Sequence, residues 1–332
     1  MLIWVPADWV AAGLAGLPGA EVEIVSLGRD MGQSAPGRGD TGRGDLGAGA
    51  TGGGGVSPPA VPARVAEVEF YVPSFFPSQA GSAVLSQMRS LRVVQALTAG
   101  VDWIRPHVPS SVALCNARGA HDASTAEWVV AAMLASLRSF PLFGAAQAEG
   151  RWNYQGTGQL AGGTVLIVGY GAIGAAVEQR LAGFEVTVRR VARSPRPGVA
   201  GLDDLPSLLP EADAVVLLVP FTPESKGLAG SDFLARMKDG ALLVNAARGA
   251  VVDTAALVAE VASGRLRAAL DVTDPEPLPP GHPLWSLPGI FLTPHVAAST
   301  PVSRERAARL VREQARAYLR GEPLRNVISG AY

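Results

Sequence analysis

Three stretches of this 332-residue chain place residues that can move or stabilise charge just beyond apolar, strand-like runs. Arg248 follows Leu242-Leu-Val-Asn-Ala-Ala and precedes Gly249. Asp271 and Glu276 sit in Ala269-Leu-Asp-Val-Thr-Asp-Pro-Glu-Pro277, and His295 closes Phe291-Leu-Thr-Pro-His. A guanidinium is a planar fork that can hold a carboxylate through two N–H donors and polarise a neighbouring carbonyl. Histidine titrates near neutral pH, which suits it to give a proton to a carbonyl being reduced. A carboxylate beside the imidazole favours its protonated form. An arginine near an acid–histidine pair is therefore a set for hydride transfer to a 2-keto acid, provided a hydride carrier faces it. The competing reading for Arg248 alone is a cap on a neighbouring helix. His107, His121 and His282 fall in loop or turn contexts and read as surface or turn residues. Four scattered histidines and one cysteine supply no zinc-like cluster, so no metal is expected.

Such a set works only if the strands end side by side, as they do at the carboxyl edge of an open parallel α/β sheet. The element that organises the sheet is Val165-Leu-Ile-Val-Gly-Tyr-Gly-Ala-Ile-Gly174. An apolar strand runs into Gly169-x-Gly171-x-x-Gly174, with Ala172 and Ile173 opening a helix. Unpaired N–H groups and the helix dipole then point at one place and make an anion site. A lone glycine motif is weak evidence in a chain with 39 glycines, and a βα loop without ligand is the bland alternative. The order strand, turn, helix is the context that supports a dinucleotide-binding turn.

Later strands are expected at 185–191, 212–219, 241–246, 268–272 and 290–293, with helices at 225–237 and 254–263. Before the turn, short strands at 2–6, 21–27, 67–72, 93–97 and 112–116 alternate with helices and imply a smaller doubly wound α/β unit. A long amphipathic helix starts near Ser124, with Asp122 or Ser124 as cap and Glu127 completing a capping box. Residues 28–55 hold 12 glycines and almost nothing apolar. Such a segment buries too little to offset its ordering entropy, so 28–64 reads as a poorly ordered insertion. Its Arg38-Gly-Asp40 and Arg43-Gly-Asp45 read as low complexity rather than adhesion motifs. The final helix, about 302–319, carries five arginines with Glu305 and Glu313 interspersed and reads as a solvated, ion-paired face.

Bulk properties narrow the class further. With 48% hydrophobic and 17% charged residues and a formal net charge of −1, the chain is globular and offers no basic surface for nucleic acid or an anionic membrane. One cysteine, Cys115 in an apolar run, fits a reducing compartment and a buried structural thiol. The N-terminus lacks a signal-peptide pattern, and no apolar run reaches membrane-spanning length. A soluble, cytoplasmic protein is expected.

Taken together, Gly169-x-Gly171-x-x-Gly174, Asn245-Ala-Ala-Arg248-Gly249, Leu270-Asp-Val272 with Glu276-Pro277, and Thr293-Pro-His295 resemble the D-isomer-specific 2-hydroxyacid dehydrogenase family. The likeness covers nearly the whole chain outside the glycine-rich stretch. It implies a Rossmann-type cofactor domain at 119–298, inserted into a smaller flavodoxin-like substrate domain built from 1–118 and 299–332. It implies that Arg248 orients substrate, that His295 is the acid/base paired to Glu276, and that hinge closure excludes water. The loop Leu97-Thr-Ala-Gly-Val-Asp102 resembles the family's substrate loop, in which N–H groups such as those of Ala99 and Gly100 take the carboxylate. Cofactor contacts are implied for Thr125, Gly169, Gly171, Ala172, Ile173, Gly174, Val219, Pro220, Ala247 and Asp271. A homodimer is implied as well.

One departure bears on the cofactor. An NAD-preferring unit places Asp or Glu about 20 residues beyond the glycines, on the ribose 2′-OH. Here Arg189, Arg190 and Arg193 stand in that region, and arginines attract a 2′-phosphate. NADP(H) is thus the expected cofactor, with NAD(H) as the alternative. Ala99 replaces the lysine of phosphite-oxidising members, and Glu276 replaces the glutamine of formate-oxidising ones. Small 2-keto acids such as glyoxylate or hydroxypyruvate are the expected substrates, with selectivity drawn partly from Val72–Phe76. The alternatives are a short phosphoglycerate dehydrogenase, although the regulatory domain of many such enzymes is not seen before Tyr332, and a non-catalytic dinucleotide sensor of corepressor type.

Overall fold

The computed structural model describes residues 1–27, 62–75 and 79–329; the glycine-rich stretch with its two Arg-Gly-Asp tripeptides, and Phe76, lie outside them. The chain divides into two compact units, Met1–Ala117 with Ala307–Ile328, and Arg118–Arg306.

In the first unit the short apolar runs become β1 (Leu2–Val5), β2 (Glu21–Ile24), β3 (Val68–Tyr71), β4 (Val93–Gln95) and β5 (Ala113–Cys115). All pair in parallel, in the order β2-β1-β3-β4-β5. That is the flavodoxin-like order. A parallel sheet is covered on both faces, which explains why β1 is buried at every position rather than at alternate ones. Helix α1 (Asp8–Leu14) follows β1, and α2 (Gln79–Ala83) follows β3. Helix α2 runs straight into a tighter 3₁₀ turn over Val84–Gln87. Gly81 and Ser82 are weak helix formers, which is consistent with the early tightening. Arg64, at the end of the stretch assigned to the insertion, is anchored to Glu21, Glu23 and Glu67.

The second unit opens with α3 (Asp122–Leu137) and α4 (Phe140–Ala148). It continues as β6 (Thr164–Val168), α5 (Ala172–Leu181), β7 (Thr187–Val191), α6 (Leu205–Leu208), β8 (Ala214–Leu217), α7 (Ser231–Arg236), β9 (Leu242–Asn245), α8 (Thr254–Ala262), β10 (Arg267–Leu270) and β11 (Ile290–Leu292). The six strands are parallel in the order β11-β10-β9-β8-β6-β7. Successive side chains point to opposite faces, and the core divides accordingly. Val165, Ile167, Val216 and Val244 pack with Val129 and Met133 of α3 and Val177 and Leu181 of α5. Leu166, Val168, Leu217 and Leu243 pack with Phe233 and Leu234 of α7 and Leu257 and Val261 of α8. Because β7 and β8 flank β6, the turn after β6 lies where the strand order reverses, the place where such sheets bind ligands. Outside β7 a further strand is reduced to one parallel bridge, Val191 to Ala200.

Two local expectations are corrected. The capping box does not form: α3 begins at Asp122 after His121, with no side-chain cap. Ser124 Oγ donates to the His121 carbonyl and meets Ser303 Oγ at 2.7 Å, while Glu127 reaches Arg180. The helix expected from 225 begins only at Ser231, because Ser225 closes a turn on Thr222 and donates to the Pro220 carbonyl.

Helix α9 (Pro301–Leu319) ends the chain's regular structure. Its buried Ala307, Ala308 and Val311 pack into the first unit, where Gly13 lets α1 approach so closely that a Cβ there would stand 3.0 Å from that of Ala308. The expected ion-paired arginine face resolves differently. Arg312 donates to the carbonyls of Gly13 and Ala15, and Glu313 pairs with Arg325 beyond the helix. Gln314, 1% exposed, joins Gln95 of β4 to the backbone of Arg325. No single helix among the described residues is long and apolar enough to cross a membrane.

Candidate active site

The glycine turn is shaped by close backbone approach. Gly169 has φ +106°, and a Cβ there would lie 2.4 Å from the Leu218 carbonyl carbon. Only glycine lets the turn lie against the strand-end segment Leu218–Val219, with Pro220 following. Gly174 meets the Gly169 carbonyl and Ile167, so α5 can start directly on β6. A Cβ at Gly171 would meet nothing within 4 Å. That open space stands at the N-terminus of α5, where Ala172 and Ile173 carry first-turn N–H groups without intrahelical partners. An anionic pyrophosphate suits this cradle in shape and charge.

Register brings the chemical residues together. Leu270 of β10 pairs with Asn245 of β9 on one side and Leu292 of β11 on the other. The three chains therefore leave the sheet side by side, carrying Arg248, Asp271 with Glu276, and His295. Asn245, 1% exposed, braces the first loop: Nδ2 donates to the Arg248 carbonyl and Oδ1 accepts from the Ala247 N–H. Gly249 lets this loop touch the next one, since a Cβ there would fall 1.9 Å from the Thr273 carbonyl oxygen.

Asp271 is 3% exposed and organises the histidine loop. Its carboxylate accepts from Thr293 Oγ1 at 2.6 Å and from the N–H groups of Val296 and Ala297 at 2.8 and 2.9 Å. Its carbonyl accepts from His295 N at 2.7 Å. Held at both ends, His295 adopts φ +54°, a left-handed conformation that a non-glycine residue keeps only when its surroundings impose it. The His295 imidazole Nδ1 meets Glu276 Oε1 at 2.6 Å. With Nδ1 engaged by Glu276, Nε2 is the ring nitrogen on the far side of that contact. Burial pushes the Glu276 carboxyl up, but the His295 hydrogen bond and charge, a Thr273 backbone hydrogen bond and the Arg248 charge outweigh it, and the net shift is downward. Glu276 is thus held as the anion an imidazolium needs.

The arginines around β7 divide unequally. Arg190 is committed to Glu178 of α5, which also accepts from Tyr170 Oη. Arg189 lies 3.6 Å from Glu211. Arg193 follows the strand within electrostatic range of Glu224. A fourth cation reaches the backbone of the glycine turn: Arg196 donates to the Tyr170 carbonyl at 2.8 Å, and Arg190 and Arg196 each sit 5.7 Å from the Tyr170 ring centre. A hairpin at Arg196–Val199 returns the chain there. In the first unit, the carbonyls of Thr98, Ala99 and Gly100 accept bonds from Ala117 N, Asn116 Nδ2 and Thr98 Oγ1. In a trans peptide the following N–H points the other way, so these bonds orient the loop's amides.

Residues 130–297 match the D-isomer specific 2-hydroxyacid dehydrogenase, NAD binding domain. A glyoxylate reductase of Thermofilum pendens is 35% identical over 256 residues, 72% of this chain and 75% of that one. The chain belongs to the D-isomer specific 2-hydroxyacid dehydrogenase family. A D-3-phosphoglycerate dehydrogenase of Archaeoglobus fulgidus is 34% identical over 258 residues, 74% of this chain but 49% of that protein; the chain spans about half the length of such relatives. A family member from Xanthobacter autotrophicus Py2, solved with NADPH and MES, superposes with a TM-score of 0.76 at 31% identity, covering 99% of this chain and 97% of that one.

Within this family fold, the structure brings Arg248, Glu276 and His295 to one sheet edge, and the glycine turn, Val219 and Pro220 to another part of the same edge. Thr125 is buried in the first turn of α3. Three contributors escaped the sequence reading. Asn245 and Thr293 lie inside recognised motifs, but nothing in their spacing says that they brace loops. Arg196 reaches the turn only through a hairpin with no sequence periodicity.

Proposed function

We propose that the protein is an NADPH-preferring reductase of small 2-keto acids, of glyoxylate or hydroxypyruvate type. The observation that carries this reading is the His295–Glu276 contact beside Arg248 at the strand ends. When bound, the reduced nicotinamide supplies a hydride to the keto carbon. Arg248 forks the substrate and polarises its carbonyl. His295 gives the proton on Nε2 to the developing alkoxide, while ionised Glu276 holds Nδ1–H and stabilises the imidazolium before transfer. Asp271 fixes the histidine loop and would stand on the nicotinamide side of a bound cofactor. The N–H groups of Ala99 and Gly100 take the substrate carboxylate. The unit at 118–306 serves as cofactor domain, and the remainder as substrate domain.

NADPH preference is supported by the absence of an acid at the end of β7 and by Arg193 and Arg196. Arg190 contributes less than sequence alone suggests, because Glu178 offsets its charge. The NADPH complex of the Xanthobacter relative points the same way. A homodimer acting in the cytoplasm completes the proposal. Following reduced-cofactor absorbance with NADPH or NADH and a panel of 2-keto acids tests it: kcat/KM should be higher with NADPH. Equal or better kcat/KM with NADH removes the cofactor preference. Binding of NADPH without turnover of any 2-keto acid favours a dinucleotide sensor instead.

A further inference from the structure

The strand-end residues occupy the carboxyl edge of the β6–β11 sheet, and a second polar cavity opens at its amino edge. It encloses about 350 Å³ and is walled by Gly158–Val165, Asp213, Lys238–Ala241 and Arg267, with Leu137 beside them. That volume falls within the range of small-molecule sites, roughly 300–1,000 Å³. Thr164 and Arg267 are the first residues of their strands, while Asp271 follows the last residue of β10. The cavity is therefore at the opposite end of the strand that braces His295.

The acids of this cavity have partners. Asp213 holds Lys238 at 2.5 Å and accepts from Thr164 N at 2.8 Å; Asp239 lies 3.4 Å from Arg265. Arg267 differs. It is half-buried, and its guanidinium donates to the Gly240 carbonyl at 2.8 Å. No carboxylate among the described residues lies within ion-pairing distance of it. Burial alone acts on it, lowering its proton affinity. Two residues earlier, Arg265 shows the usual solution, with Glu260, Asp239 and the carbonyls of Met237 and Leu234 around it. A half-buried cation without a counter-charge is partly stripped of water, and an anion offsets that loss.

We propose that this cavity binds a small organic monocarboxylate, forked by Arg267, with its apolar body beside Leu137 and Leu160. Lys238 is paired with Asp213 and Asp239 with Arg265, so among the described residues Arg267 is the cavity cation without a carboxylate of its own, and a single carboxylate group matches its one guanidinium. The edges of Leu137 and Leu160 beside the guanidinium favour a carboxylate with a hydrocarbon part over inorganic phosphate.

Benzoate serves as the probe, titrated by calorimetry into the full-length protein against phosphate, with chloride at matched ionic strength. Benzoate should bind saturably and more tightly than phosphate, and chloride should give no saturable heat. Arg248→Gln removes the other carboxylate-holding arginine and should leave this binding within about twofold, whereas Arg267→Gln should weaken it about tenfold or more. Ala161→Leu, which adds bulk at another lining residue with Arg267 retained, should weaken it as well, and this variant decides the matter if Arg267→Gln does not fold. Absence of saturable benzoate binding, affinity unchanged in Arg267→Gln and Ala161→Leu, or tighter binding of phosphate would each overturn the assignment.

Discussion

At the scale of single residues, the account rests on groups whose charge state is set by neighbours. Glu276 sits below the ordinary carboxylate range because His295 and Arg248 stabilise its anion against the opposing effect of burial. Glu276→Gln leaves the imidazolium without its counter-charge. Turnover of a keto acid should therefore fall by about 10²-fold or more with Kd for NADPH nearly unchanged; unchanged turnover in Glu276→Gln would detach Glu276 from the proton transfer. Asp271→Asn should act without touching the reacting atoms. It weakens three accepted hydrogen bonds that pin the loop of His295, at about 1.5–3 kcal/mol for a charge-assisted contact. The expected pattern is a large fall in kcat with a small change in Kd for NADPH, read from steady-state kinetics beside fluorescence titration.

At the scale of elements, the loops are coupled where glycine permits contact. Gly249→Ala places a Cβ 1.9 Å from the backbone oxygen of Thr273, and backbone cannot rotate aside as a flexible side chain can. Urea unfolding should show a loss of about 1–3 kcal/mol, with kcat falling as Arg248 and Glu276 separate. The link between α5 and β7 behaves differently. Glu178 titrates below its usual range, chiefly through its Arg190 hydrogen bond. A depressed carboxylate stabilises the fold above its unfolded value, near ~4.3, and that contribution is lost as pH falls through the folded value. Glu178→Gln should flatten the acid limb of stability below about pH 4.5, while freeing Arg190 and tightening NADPH binding relative to NADH. Arg196→Ala should raise KM for NADPH about tenfold and leave KM for NADH nearly unchanged.

For the molecule as a whole, what could be read in advance follows a physical divide. Parallel strands buried on both faces announce themselves as apolar runs, and the residue just past each run inherits a position at the ligand-bearing edge; Arg248, Glu276 and His295 were legible for that reason. Helix ends were less so. Ser124 was expected to cap α3 but instead bonds Ser303, which is remote in sequence, and composition cannot anticipate a partner brought in by tertiary packing. Charges were read least well. Arg189, Arg190 and Arg193 look equivalent in sequence, yet Glu178 and Glu211 engage the first two, and Arg196 reaches the turn through a hairpin. The flavodoxin-like order of the first sheet and the strand-order reversal at β6 both follow from pairings that sequence does not display.

The most direct test compares wild type with His295→Ala, measuring NADPH Kd by fluorescence and NADPH oxidation by absorbance with glyoxylate and hydroxypyruvate. The account predicts nearly equal Kd values and a kcat lowered by about 10²–10⁴ in the variant. Turnover unchanged by His295→Ala would contradict it.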